Sequence, residues 1–254
     1  MTKIKSKKPD RAKSRGKLPK SIVGTTGKKP AKAAKVARVV GAGTDPKRVA
    51  AILARLAEAY PAATCELKHE NPFQLLISTI LSAQCTDVRV NEVTKTLYKK
   101  YKGPEDFAYA NPSELEQEIR PTGFFRNKTK SIMGASKGII EKFAGKVPQT
   151  MEEILKLPGV ARKTGNVVLG TGFGIAVGVV VDTHVMRLSR RLDLTKHEEP
   201  KKIEQDLMRV IPQDKWIQFS HQLIWHGRRV CVARKPRCLE CNLESICYSR
   251  DKTI

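Results

Sequence analysis

The chain has 254 residues and a mass of 28.3 kDa, enough to bury a large core without disulfide bonds. Its 48 Lys and Arg against 25 Asp and Glu give a formal net charge of +23, which predicts a polyanionic partner, nucleic acid first. The uncharged residues 166–181 contain four glycines and are fewer than the about 20 apolar residues of a membrane span. No apolar segment follows the basic N-terminus, so we expect no secretory signal and no membrane association. The expected location is the cytoplasm with its nucleoid, or the nucleus or an organelle in a eukaryote.

The charge is concentrated in the first 44 residues, which hold 14 Lys and Arg, one acidic residue and no aromatic residue. A segment with so much charge and so little apolar surface cannot form a core, so residues 1–44 are predicted to be a disordered cationic arm. Such an arm would neutralise DNA phosphates without reading sequence. The alternative is that the arm only keeps the protein soluble.

The folded body is predicted to begin at Asp45 and Pro46, an N-cap followed by a first-turn proline. Apolar residues then recur at helical spacing up to Tyr60, and Asn71 with Pro72 repeats the start signal before a segment that predicts a buried central helix. Further helices are predicted at about 87–101, 126–143, 150–156, 162–170, 183–192, 200–210 and 214–229. Residues 174–181 are the one β-like run, and their glycines weaken it. We therefore expect an all-α fold.

A tight hairpin joins two of these helices. Thr150 and Glu153 form a capping box at the start of the first helix, which ends at the turn Leu157-Pro158-Gly159-Val160-Ala161. Free amides at the start of the next helix, which begins at Arg162, can face a phosphate oxygen. Four residues are therefore candidates for contact with the DNA backbone: Pro158, Gly159, Ala161 and Arg162. The alternative is an ordinary helical corner inside a core.

This hairpin resembles the helix-hairpin-helix motif of the endonuclease III group of DNA repair glycosylases. Leu81–Asp87 (LSAQCTD), Val181–Val185 (VDTHV) and the C-terminal cysteines are similar to the family's segments and stand in the family's order. The resemblance covers residues 45–254 and leaves the arm outside it. It implies a two-lobed helical fold, with a central lobe formed by residues 61–192 and a second lobe formed by residues 45–60 together with 193–254.

One residue of the hairpin departs from the family's pattern. The family commonly has a second glycine where this chain has Ala161. A positive backbone angle at an alanine would be strained, so we expect a modest change in phosphate affinity and no loss of function.

Lys163 is the candidate nucleophile. It lies in the first turn of the second hairpin helix, where the positive end of the helix dipole and the neighbouring Arg162 favour the uncharged amine. By residue type alone, a lysine in so basic a chain is a solvated surface charge. The resemblance implies instead that Lys163 attacks the sugar C1′ of a damaged nucleotide, releases the base and holds the sugar as a Schiff base. β-Elimination from that intermediate then nicks the strand.

Asp182 is the candidate partner of the lysine. Its spacing before the helix at 183–192 is that of an ordinary N-cap. The resemblance adds a catalytic role, in which the carboxylate stabilises oxocarbenium character in the sugar and relays protons for the lysine.

A base inside duplex DNA is out of reach, so the target nucleotide has to be flipped out and the gap filled. By resemblance, Gln84 occupies the family's position for a polar wedge that contacts the opposite base. Phe124 occupies the position where the family usually has a leucine wedge. The structural alternatives are an amide at a helix C-terminus for Gln84 and a buried core aromatic for Phe124.

Four of the six cysteines have the compact spacing C-x6-C-x2-C-x5-C: Cys231, Cys238, Cys241 and Cys247. This spacing predicts a metal site, and alone it allows either zinc or a 4Fe-4S cluster. The resemblance implies the cluster, because the array matches the family's cluster motif. The loop between the first two cysteines contains three basic residues that we expect to contact DNA phosphates: Arg234, Lys235 and Arg237.

Taken together, the resemblance implies a bifunctional DNA N-glycosylase and abasic-site β-lyase that removes oxidised pyrimidines in base excision repair. It would act as a monomer on double-stranded DNA containing damaged pyrimidines or abasic sites, and would carry one 4Fe-4S cluster. Two alternatives share the fold: a pyrimidine-dimer glycosylase, and an adenine-mismatch glycosylase, which lacks a lysine at the position of Lys163. The alternative outside this class is a non-catalytic iron–sulfur protein that binds DNA.

Overall fold

The computed structural model describes residues 42–253, and within this range the chain is helical and has no strand. The described residues form eleven α-helices: α1 (Pro46–Ala59), α2 (Pro72–Leu81), α3 (Asp87–Lys100), α4 (Pro104–Ala108), α5 (Pro112–Ile119), α6 (Phe125–Phe143), α7 (Met151–Ile154), α8 (Arg162–Val167), α9 (Thr183–Arg191), α10 (Pro200–Val210) and α11 (Trp216–Arg229). The all-α expectation is confirmed. None of the helices found in this range has the length and apolar character needed to cross a bilayer. The cationic arm predicted for residues 1–44 lies outside the described residues, except for the short turn Ala42–Thr44.

Short helical turns connect several of these helices. A π-helical turn, Val168–Gly172, continues α8, and a 3₁₀ turn, Arg120–Thr122, precedes α6. Three further 3₁₀ turns lie in the C-terminal part: Gln213–Lys215, Cys238–Glu240 and Glu244–Ile246.

The predicted N-caps form. The side chains of Asp45 and Asn71 each accept a hydrogen bond from the amide three residues on, at 3.0 Å and 2.9 Å. The capping box at Thr150 is only half as predicted. Its hydroxyl accepts from the Glu153 amide at 3.3 Å, but the Glu153 carboxylate accepts from that hydroxyl at 2.8 Å and not from the Thr150 amide.

Helices α4 and α5 were not predicted, because five and eight residues give too little periodicity to detect. Each nevertheless begins with a proline in its first turn, and α5 is capped by Asn111. Their apolar side chains, Phe107 of α4 and Leu115 and Ile119 of α5, are fully buried. Residues 174–181, the β-like run, remain without a strand.

Two apolar clusters make up the core of residues 42–253. The first surrounds α2, in which every residue after Pro72 is buried, and takes side chains from α3 to α8. The second is formed by α1, α9, α10 and α11. The lobe boundaries stay a prediction, and Val185 and Leu188 of α9 pack in the second cluster although residues 61–192 were predicted as the other lobe.

Small residues of α6 make room for the hairpin. A Cβ added at Gly134 would lie 3.1 Å from the Pro158 ring. Gly159 has a φ of 76°, and a Cβ there would overlap the Ser131 side chain. The turn between α7 and α8 therefore packs directly on α6.

Candidate active site

Lys163 and Asp182 line the same cavity, which has a volume of about 230 Å³. Its walls come from the loop after α1, the end of α2 with the loop that follows, the start of α8, the residues before α9 and one face of α11. Gln84 also lines it. The structure thus brings together three of the residues that the sequence singled out.

Lys163 is the second residue of α8 and is exposed. Ala161 is the N-cap of this helix and offers no side-chain acceptor to its free amides. Among residues 42–253, no side chain or carbonyl forms a hydrogen bond or ion pair with the Lys163 amine. The amine is therefore available to a molecule that enters the cavity.

Asp182 is the N-cap of α9. Its Oδ1 accepts from the amides of His184 and Val185, both at 2.8 Å, so the predicted capping role is confirmed. The residue is half-buried, and its Oδ2 accepts no hydrogen bond from the described part of the chain. One oxygen fixes the carboxylate in place, and the other remains for a substrate.

A buried carboxylate that the sequence reasoning missed anchors α8. Glu204 of α10 accepts from Arg162 Nε at 2.7 Å and from Asn166 Nδ2 at 2.8 Å. The hydrogen bond to Glu204 raises the pKa of Arg162. Arg162 is therefore engaged within the protein, holding the helix that carries Lys163. The only signal in the sequence was an acid beside the apolar face of α10, three residues before the buried Leu207.

An ion-pair cluster at the cavity wall was also missed. Arg228 of α11 pairs with Glu66 through Nη1 and with Asp87 Oδ2 through Nη2, the latter at 2.6 Å. All three residues line the cavity. Arg228 is separated from its partners by 162 and 141 residues, so no local pattern could predict these pairs. His221 lines the cavity as well, and burial lowers its pKa, which favours the neutral imidazole.

Gln84 and Phe124 share an unusual backbone. Their φ angles are 53° and 49°, in the left-handed region that residues other than glycine rarely adopt. Both side chains are exposed, and Phe124 has 63% of its surface accessible. The alternative of a buried core aromatic is therefore wrong for Phe124. Gln84 lies three residues beyond the end of α2, so it is not the terminal amide of that helix.

The hairpin turn exposes Pro158, Gly159 and Ala161. Ala161 does not carry the strain of a positive backbone angle, because its φ is −95° and its ψ is 168°, an ordinary extended conformation. Gly159 takes the left-handed position of the turn instead. Alanine is thus compatible with the observed backbone at residue 161.

All four cysteines of the C-terminal array line one cavity. Arg191 Nη1 donates to Cys231 Sγ at 3.3 Å, and His226 Nε2 lies 3.4 Å from Cys241 Sγ. Burial raises the pKa of Cys241 to about 11. Within residues 42–253, no three His, Cys, Asp or Glu side chains are gathered in the way that a single metal ion requires.

The basic loop after Cys231 is exposed at Arg234, Lys235 and Arg237. Arg191 of α9 holds this loop by donating to the carbonyls of Val232 and Ala233, at 2.8 Å and 3.1 Å. These hydrogen bonds are a further structural role that the sequence did not indicate, because a charged residue at the end of a helix is usually solvated.

Comparison with known proteins gives a consistent result. The family model described as "HhH-GPD superfamily base excision DNA repair protein" matches residues 77–213. Endonuclease III of Synechocystis sp. is 57% identical over 203 residues, which are 80% of this chain and 93% of that protein. Endonuclease III of Escherichia coli K12 is 38% identical over 201 residues, 79% of this chain and 95% of that protein.

Two solved structures are also similar. A trapped covalent intermediate of endonuclease III with DNA, an estranged-adenine complex, has a TM-score of 0.77 at 42% identity, covering 80% of this chain and 96% of that chain. A non-covalent endonuclease III–DNA complex has a TM-score of 0.77 at 43% identity, covering 80% and 95% of the two chains.

Proposed function

Because the chain belongs to the HhH-GPD superfamily of base excision DNA repair proteins, we propose that Lys163 and Asp182 remove a damaged base from DNA and cleave the strand at the resulting site. The protein is a DNA glycosylase and abasic-site lyase of the endonuclease III type, with DNA as its substrate. The observation that carries the residue assignment is that both side chains line one cavity, with an amine that has no hydrogen-bond or ion-pair partner among residues 42–253.

Lys163 acts as the nucleophile. Its Nζ attacks C1′ of the flipped nucleotide, and the bond from C1′ to the base breaks, so that the base leaves with the bonding electrons and takes up a proton. The second amine proton passes to O4′ as the C1′–O4′ bond breaks, which opens the sugar and gives a Schiff base between Nζ and C1′. The imine acidifies the C2′ hydrogen, and removal of that proton expels the 3′ phosphate. Water then hydrolyses the imine and frees Lys163.

Asp182 supports both halves of this reaction. Because two backbone amides fix Oδ1, the carboxylate does not have to reorient as positive charge develops at C1′. Oδ2 is the oxygen that accepts protons from the amine and returns them.

The substrates we propose are oxidised pyrimidines and abasic sites in duplex DNA, with the protein acting as a monomer beside the chromosome. The cavity wall offers a carboxylate and guanidinium cluster, Glu66, Asp87 and Arg228, that can read the polar edge of a flipped base. A pyrimidine-dimer glycosylase would keep both Lys163 and Asp182 and differs only in lesion, so the lesion assay below separates the two.

The remaining assignments concern the residues that contact DNA outside the cavity. Gln84 and Phe124 fill the gap that the flipped nucleotide leaves, because both are exposed on strained loops. Phosphate contacts on one side of the cavity are assigned to the hairpin turn, where the backbone amides of Gly159 and Ala161 are the donors and Pro158, which has no N–H, contributes only packing. A second group of phosphate contacts is assigned to the loop side chains Arg234, Lys235 and Arg237. Arg162 is assigned to anchoring α8 through Glu204, which leaves it only a secondary part in phosphate binding.

We assign the four cysteines of the C-terminal array, Cys231, Cys238, Cys241 and Cys247, to one 4Fe-4S cluster. The four thiols line one cavity, and Arg191 donates to Cys231 Sγ at 3.3 Å, which fits a group held by four thiolates. When bound, the cluster would cross-link the C-terminal loops and would take no part in base removal. A brown protein with broad visible absorption is expected, whereas a colourless, zinc-stoichiometric protein purified without oxygen would reject the cluster.

The catalytic proposal is tested by trapping with borohydride. The protein is incubated with duplexes that contain thymine glycol, an abasic site or a pyrimidine dimer, and the covalent adduct is measured after reduction. We expect an adduct on the first two substrates that disappears in Lys163→Ala. Lys201→Ala is the matched control, because Lys201 is also an exposed lysine at the second position of a helix. Binding of DNA without any adduct would instead support the non-catalytic DNA-binding protein.

A further inference from the structure

A buried lysine lies beneath the two loops that carry Gln84 and Phe124. Lys128, in the first turn of α6, has only 4% of its surface accessible. Its Nζ donates to the carbonyl oxygens of Leu81 at 2.7 Å and of Thr122 at 2.8 Å. No carboxylate in residues 42–253 pairs with it. A buried cation without a counter-charge is unfavourable, so the fold has to compensate it in another way.

The compensation comes from two helix ends. Leu81 is the last residue of α2, and Thr122 is the last residue of the 3₁₀ turn before α6. The carbonyls at the end of a helix lack partners within it and carry the negative end of its dipole. They are therefore suitable acceptors for an ammonium group. Burial lowers the pKa of Lys128, consistent with its enclosed position.

The amine joins two loops that are otherwise separate. Gln84 follows Leu81 by three residues, and Phe124 follows Thr122 by two. In the described part of the chain, no hydrogen bond runs directly between residues 81–85 and 120–124. The backbone hydrogen bonds of each described loop are local, such as those from Cys85 to Ser82 and from Gly123 to Arg120. Both loops also hold a residue in the left-handed conformation, which persists only where surrounding contacts enforce it.

We propose that Lys128 is a positioning residue for base flipping, which holds the Gln84 and Phe124 loops at a fixed separation so that both side chains enter the DNA together. This inference rests on the proposed function. Lys128 itself touches neither the sugar nor Lys163, because it is buried beneath the loops and does not line the cavity. Its loss should therefore impair opening of the duplex and leave the lysine chemistry intact.

The test compares Lys128→Met with wild type on two abasic substrates, one duplex and one single-stranded. Only the duplex requires a wedge, so the ratio of duplex to single-strand adduct rates reports positioning separately from chemistry. We expect this ratio to fall about tenfold in Lys128→Met, while the single-strand rate stays within about twofold of wild type. Adding Phe124→Ala to Lys128→Met should lower the ratio little further, since both act on the same step.

The control for general destabilisation is Ile139→Ala, which opens the core around α6 far from both loops. It should lower thermal stability without changing the ratio. Lys128→Gln, which retains one donor, serves if Lys128→Met does not fold, and its ratio should be intermediate. An unchanged ratio, or equal losses on both substrates, would overturn the positioning role. If wild type forms no adduct with the duplex and none with the single strand, the proposed function itself is refuted.

Discussion

Replacing Glu204 by alanine should destabilise the protein and slow its chemistry, although Glu204 does not line the cavity. The side chain is only 7% accessible and holds Arg162 and Asn166 of α8. A hydrogen bond involving a charged group contributes about 1.5–3 kcal/mol. Arg162 is 39% accessible, so water can take over part of the hydrogen bonding that Arg162 loses with Glu204. The buried Asn166 would keep only a long hydrogen bond to Val179. We therefore expect Glu204→Ala to lower the free energy of unfolding by about 2–4 kcal/mol.

The measurement is urea unfolding followed by circular dichroism, together with the rate of borohydride-trapped adduct on an abasic duplex. Because α8 carries Lys163, the adduct rate should fall about tenfold when it is measured without urea, at a temperature where the variant is folded. Glu204→Gln, which keeps the volume and one acceptor, should cost less than the alanine variant. Glu198→Ala is the matched control, since the Glu198–Arg190 ion pair is at the surface, with side chains 76% and 52% accessible. It should change the free energy by less than about 0.5 kcal/mol, and an equal effect of the two alanine variants would refute the anchoring role of Glu204.

Three other predictions concern the hairpin, the cavity and the arm. Gly159→Ala should destabilise the protein by about 2 kcal/mol or more and weaken DNA binding, because φ is positive at this residue and an added Cβ would overlap Ser131. Ala161→Gly should destabilise it by less than about 1 kcal/mol, because residue 161 has an ordinary extended backbone. Melting curves measure the stability of both variants, and DNA titrations measure their affinity. Burial lowers the pKa of His221 below its ordinary value of 6.5, so its contribution to stability is complete above about pH 6.5 and is lost as the pH falls towards the folded pKa. The urea midpoint of wild type should therefore drop faster below pH 6.5 than that of His221→Gln, and parallel curves would contradict this. Deletion of residues 1–41 should reduce the slope of log binding constant against log salt concentration, by up to about 0.9 for each phosphate that the arm neutralises; an unchanged slope would show that the arm does not bind phosphates.

Local chemistry made much of this fold predictable. The caps at Asp45 and Asn71 depend on residues within one turn, and the buried α2 is recognisable from its continuous apolar sequence. Lys163 and Asp182 were singled out because the segments that resemble the family's are short and contiguous. The cysteine array was found for the same reason. In each case the information needed lies within a short segment of the chain.

The residues that were missed act over long distances in the sequence. Glu204 meets α8 about forty residues away, and Arg228 meets Asp87 across 141 residues. Lys128 looks like any solvated lysine on a helix, and only packing shows that it is buried. The question of strain at Ala161 had a different origin. A glycine in a related sequence does not establish that the backbone at that position needs one, and here Gly159 already supplies the left-handed residue.

Helix α6 connects two regions that would contact DNA. Phe124 immediately precedes it, and Gly134 packs against the hairpin at Pro158. Ten residues of helix at about 1.5 Å per residue span about 15 Å, the rise of roughly four nucleotides along a strand. A helix neither stretches nor bends easily, so it holds Phe124 and the hairpin at a constant separation. With the DNA contacts proposed above, the length of this one helix would set how much of the duplex is distorted, and an insertion within residues 125–134 would change the spacing between the two contacts.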